Sequence, residues 1–185
     1  MTGIGPGEAA TALSDIDSIV RRVRQSRIYT NASMILIMWG VLVFVGYCAS
    51  YLRLREAGLV WIAISLLGIA GSFVLGRFNR ARHGVRTFDL RVLAAVALFV
   101  AFGLFCSVGL GHFTGRQMGA FWPIYIMLVY SIVGLWAGRA FVVIGLSVTA
   151  LTLIGYFFLG NTFDLWMAFV DGGGLFLGGL WMRRS

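Results

Sequence analysis

One acidic residue in this chain stands where an acid is hard to keep. Asp171 lies inside the apolar stretch Phe163–Met182 and is followed by Gly172, Gly173 and Gly174. An ionisable side chain within a segment long enough to cross a bilayer is costly, and such residues commonly mark ion or proton pathways. The glycines weaken the helix just after it, because glycine is a poor helix former. Three roles suit an aspartate so placed. It can stay protonated or bond to a hydroxyl from a neighbouring helix, with Ser72, Tyr130, Ser131, Thr149 and Thr152 of suitable type. It can cap the second half of a helix broken at the glycines, since aspartate is a favoured N-cap. Or it can bind a proton or cation, as discontinuous helices at mid-membrane do in transporters.

No second constellation competes with it. The sequence Phe169-Val170-Asp171-Gly172 lacks the GxGD form of intramembrane aspartyl proteases, and Asp164 lies too near a span boundary to partner Asp171. Paired carboxylates are needed when one acts as acid and the other as base. GxSG, HExxH, Walker A and dinucleotide signatures are missing from the sequence, so no enzymatic activity is expected. Cys48 and Cys106 form no CxxC pair, and His83 and His112 supply too few ligands for zinc, so neither cofactor nor metal is expected. The two cysteines fall at similar depth near the ends of two spans. Buried free thiols are the first expectation for them, and a bond on an oxidising side the second. His112, beside Arg116, reads as a solvated loop residue rather than a pH sensor.

The elements that must position Asp171 follow from composition. Hydrophobic residues make up 59% of the 185, charged ones 12%, and the mean hydropathy is +0.90. Soluble domains have roughly 45–50% apolar and about 25% charged residues, so this chain belongs to the integral membrane class. All fifteen basic residues are arginine, and the net charge is +8. The arginines sit at the ends of apolar runs, which makes anionic lipid headgroups their counter-charge and argues against a nucleic-acid partner.

Residues 1–28 read as a cytoplasmic tail too short to be an independent domain. Gly3, Gly5, Pro6 and Gly7 predict an irregular start up to Ala10. Ser14-Asp15-Ile16-Asp17 then has the form of a capping box. Leu13, Ile16, Val20 and Val23 recur at helical spacing, and Arg21, Arg22, Arg24 and Arg27 follow. Such an amphipathic basic helix suits an anionic membrane surface or a protein partner; a plain helical lead-in is the simpler expectation. An uncleaved anchor is expected of the first span, rather than a signal peptide.

Residues 29–185 form the membrane domain. Six spans are expected, at Asn31–Leu52, Leu59–Gly76, Val92–Leu110, Phe121–Ala137, Phe141–Leu159 and Phe163–Met182, each near the ~20 residues that cross a hydrocarbon core. Small residues at four-residue spacing, Gly68, Ser72 and Gly76, then Gly134 and Gly138, then Gly174 and Gly178, mark expected close helix packing. Trp122 and Trp136 are placed as an aromatic belt expects. With the N-terminus inside, twelve of the fifteen arginines fall on the cytoplasmic side, so both termini are expected there.

The arginine-rich tail, Met38-Trp39-Gly40-Val41-Leu42-Val43-Phe44 in the first span, and the Gly-rich, arginine-ended last span resemble small bacterial inner-membrane proteins of no assigned function. The resemblance implies an inner-membrane location and a regulatory partner, and assigns no site residue. The fold expected is all-α, a six-helix transmembrane bundle with both termini inside and a short amphipathic N-terminal helix. The function expected is association with a membrane or cytoplasmic protein or with a second copy. The alternative is a small proton- or cation-coupled transporter or channel that uses Asp171.

Overall fold

The structure is a computed structural model that describes residues 6–52, 56–83 and 90–184. Side chains are placed at Asp15, Ile16, Ile19 and at 29–52, 56–78, 90–91 and 93–184. Arg53, Arg55, Arg86, Gly3 and Gly5 therefore lie outside the described residues, as do the side chains of Arg21, Arg22, Arg24 and Arg27.

Six helices are long and apolar enough to cross a membrane: Tyr29–Leu52, Ala57–Phe78, Leu93–Leu110, Gly115–Ala137, Arg139–Phe158 and Phe163–Arg184. The sixth is the centre of the bundle. Half of its apolar window is buried (50%), against 11% for the second and third spans, which flank the others. The sixth span packs chiefly along the first and also touches the fifth; the fourth and fifth form an antiparallel pair.

The first span explains its own central place. Tyr29, Ser33, Leu36, Gly40, Val43, Tyr47 and Ser50 are buried and recur at alternating steps of four and three. That is the seam of a left-handed helix pair. Along it the backbones meet. A methyl at Gly40 would lie 2.6 Å from the Phe176 nitrogen, one at Gly172 2.7 Å from the Phe44 Cα, and one at Gly179 2.8 Å from the Ser33 carbonyl oxygen. Only glycine permits this approach, which brings dispersion contacts and backbone dipoles into play where lipid offers no hydrophobic drive.

The first helix does not stop at the membrane. It runs unbroken over Pro6–Leu52, so residues 6–10, expected to be irregular, are helical, and the basic stretch continues the helix of the first span. Proline is favoured at a first helical position, since its missing N–H would be unpaired there anyway. Residues 6–28 add roughly 35 Å at about 1.5 Å per residue.

The fourth span starts earlier than hydropathy places it, at Gly115 rather than Phe121. Thr114 accepts from the Gln117 N–H at 3.4 Å, while the Thr114 N–H donates to Gln117 Oε1 at 2.8 Å. This capping box satisfies donors that the helix start leaves open. At its other end Gly138, with φ of 139°, turns the chain straight into the fifth helix, which begins at Arg139. A side chain is disfavoured at that angle. Gly138 is thus the joint between two spans, not a packing position on either.

The second span leans on the first through Trp39. The indole N–H donates to Ser72 Oγ at 3.1 Å and the ring covers Gly68. The third span docks on the fourth by stacked Phe99 and Tyr125 rings, 4.2 Å apart, and by Gly103 against Trp122. Trp122 therefore packs between helices, whereas Trp136 is exposed at its helix end. Cys48 and Cys106 are free thiols.

Candidate functional site

The glycines after Asp171 do not break the sixth helix. They let it widen. Phe163–Met167 is α-helical, Ala168–Gly173 is π-helical, and Gly174–Arg184 is α-helical again. The expectation of a helix broken and capped by Asp171 is corrected here: the backbone passes the glycines as one helix with a wider turn. π-Helical turns are rare, arise where an extra residue is accommodated, and recur at functional sites.

The wide turn has a consequence for side-chain direction. Phe163, Met167, Asp171 and Leu175 are all buried, at successive steps of four, and Val170 is buried beside them. Asp171 is 5% exposed, midway along a span that other spans surround. Gly172 beside it packs on Phe44 of the first span, and Gly174 and Gly178 pack on Val148 and Ile144 of the fifth. Gly173 has nothing within 4 Å of where a side chain would begin. The Asp–Gly–Gly–Gly run thus serves different ends: Gly172 for contact with the first span, Gly174 for contact with the fifth, and the run as a whole for the π turn.

Four spans converge on the carboxyl group. The phenols of Tyr47 on the first and Tyr130 on the fourth lie within electrostatic reach of it. Tyr47, 2% exposed, donates from its hydroxyl to the Gly119 carbonyl at 2.7 Å. Among the described residues no basic side chain pairs with Asp171. Met127 and Met167, at 1% and 0% exposure, belong to the buried apolar core of the bundle.

The fifth span contributes Thr152, fully buried, whose hydroxyl has no hydrogen-bond partner. Its level is set by its neighbours. Gly155 meets Trp166, and Val148 meets Gly174. Thr152 lies on the same stripe between them, and the fifth helix touches the π-helical part of the sixth span. Of the hydroxyls expected to serve Asp171, Ser72 receives Trp39 and Ser131 donates to the Met127 carbonyl. Tyr130 comes within electrostatic reach of the carboxyl group, and Thr152 is buried on the fifth span.

The other expected packing residues fall as follows. Gly68 and Ser72 face Trp39, Gly134 faces Val142, and Gly76 is half-buried on the second span. Hydropathy did not disclose Arg116, which clasps the end of the fifth helix. Its guanidinium donates to the carbonyls of Tyr156 and Leu159, each at 2.6 Å, and lies 5.4 Å from the rings of Tyr156 and Phe163. A cation there satisfies carbonyls that a helix end leaves open.

Fold and site define an all-helical, multi-pass integral membrane protein with a buried acid in its central span. Comparison of the chain with protein-family models, with curated proteins and with solved structures finds no match. Of the expected likeness, the structure carries six long apolar helices, and no family or relative is identified.

Proposed function

We propose that this protein is a small proton- or cation-coupled transporter or channel whose working group is Asp171. The observation that supports this reading is the carboxyl group itself: buried among four spans, without a cation beside it, on a widened turn. An unpaired charge in such a place costs several kcal/mol or more, so the group is neutral or holds a positive ligand. A residue whose charge state must change to admit or release a ligand is what ion coupling requires. The protein is taken to be non-enzymatic, because one carboxylate has no acidic partner among the described residues. The arginine bias supports an inner-membrane setting with both termini cytoplasmic.

The test is proton or sodium flux into liposomes that hold purified protein. Wild type should carry flux under an imposed gradient, and Asp171→Asn should abolish it while unfolding in detergent at nearly the wild-type temperature. Flux that survives the substitution removes Asp171 from the mechanism.

Association with a partner is the second reading. Ile16 and Ile19 are 56% and 59% exposed on the extension of the first helix, beyond the span itself. Apolar side chains on a polar helix suit a protein surface.

A further inference from the structure

Resting on the ion-coupled reading of Asp171, we propose that the Asp171 carboxylate and the Thr152 hydroxyl together hold one dehydrated monovalent cation of the sodium class. The site lies between the fifth and sixth spans. Thr152 is the observation that points to a ligand. A serine or threonine inside a helix commonly returns its hydroxyl to a carbonyl three or four residues back. Ser33, Ser107 and Ser131 do so, to Thr30, Gly103 and Met127. Thr152 does not, though it is fully buried and its hydroxyl has no other partner. Among the described residues Ser50 is the other buried hydroxyl without a partner, but it lies in the last turns of the first helix, at a span end. Leaving a hydroxyl unbonded in an apolar interior is unfavourable, so a buried hydroxyl on the face turned to the sixth span suits the oxygen shell of a ligand.

Charge selects the class of that party. The site offers one carboxylate, and no cluster of three His, Cys, Asp or Glu occurs among the described residues. One monovalent cation brings the buried charge to zero, whereas a divalent ion leaves it positive. The donors are oxygens, which suit hard cations rather than soft ones. When the cation leaves, a proton on the carboxylate keeps the interior neutral, so proton and cation compete. The titratable groups that face Asp171 are Tyr47 from the first span and Tyr130 from the fourth; Thr152, from the fifth, does not titrate. Asp164 and Arg116 lie further off, at the end of the sixth span and the start of the fourth.

The experiment is thermal unfolding of the whole protein in nanodiscs, titrated with sodium, potassium or choline chloride at constant ionic strength. Sodium should raise the unfolding temperature of wild type saturably, and choline should not. Thr152→Val keeps the shape and removes the hydroxyl. It should raise the half-saturating sodium concentration by about tenfold or more, the scale on which losing a supporting partner weakens a metal site. Thr152→Ser should restore it, and this variant with wild type decides the matter where the valine protein does not fold. No saturable difference between sodium and choline in wild type overturns the proposal, as does a valine variant that titrates like wild type. Proton flux that depends on Asp171 without any sodium effect overturns the sodium site alone and leaves the ion-coupled reading standing. Loss of neither flux nor sodium binding in Asp171→Asn overturns both.

Discussion

Asp171 was legible as a residue and not as a place. Its cost in a bilayer follows from its charge and the apolar run around it, and that run is plain in the sequence. Its companions were not. Tyr47 and Thr152 lie far from it along the chain, on spans that carry several other hydroxyls, and only packing selects among them. The same packing sets expectations for substitution. Asp171→Leu should leave folding intact or raise the unfolding temperature in detergent, because an apolar residue of similar size relieves a buried polar group of its cost. Asp171→Lys should lower it sharply, since Arg-rich ends give an inward cation no partner. A leucine variant that unfolds readily would show that the carboxyl group is bonded within the bundle.

At the scale of elements, the seam between the first and sixth spans should be the least tolerant contact. Gly40 and Gly172 bring the two backbones together, so Gly40→Leu must push the helices apart. Overpacking of this kind costs typically about 1–3 kcal/mol, and chemical unfolding in mixed micelles measures it. Gly173→Ala, where nothing lies within 4 Å, should be tolerated in that same assay. If both behave alike, the close approach is not what holds the pair. A smaller effect belongs to the fourth span. Thr114→Ala removes the capping hydroxyl and should cost about 1 kcal/mol. Gly68 lies under Trp39 and Gly134 against Val142. Gly138 instead joins two helices, because four-residue spacing cannot distinguish a residue inside a helix from one that ends it. Arg116 was read as a loop charge for a related reason: the carbonyls it clasps belong to a helix end distant in sequence.

For the molecule as a whole, orientation is the first matter to test. Single cysteines at Arg82 and at Thr114, in a protein lacking Cys48 and Cys106, should label from opposite sides. Position 114 should react with an impermeant thiol reagent in intact cells and position 82 should not; the reverse labelling ends the model with both termini inside. The unbroken first helix bears on the tail as well. Roughly 1 kcal/mol per arginine is available near an anionic surface. A helix that continues the axis of its span carries Ile16 and Ile19 away from it. Replacing Ile16 and Ile19 with aspartate in the full-length protein should then leave membrane retention unchanged and weaken capture of a partner, read by cross-linking in native membranes.

Composition and hydropathy alone determined that the chain is helical, with six stretches long and apolar enough to cross a membrane, because a bilayer leaves a backbone few ways to satisfy its hydrogen bonds. Arginine placement likewise carried the expected orientation, since it depends on charge at span ends and not on contacts. Tertiary structure decided the rest: that the sixth span is central, that the glycine run lies in a π turn, and that Asp171 has Tyr47 and Tyr130 within electrostatic reach. In lipid every apolar face looks alike to the solvent. Which faces meet is therefore set by steric fit between spans, a property of pairs of helices that no single stretch of sequence contains.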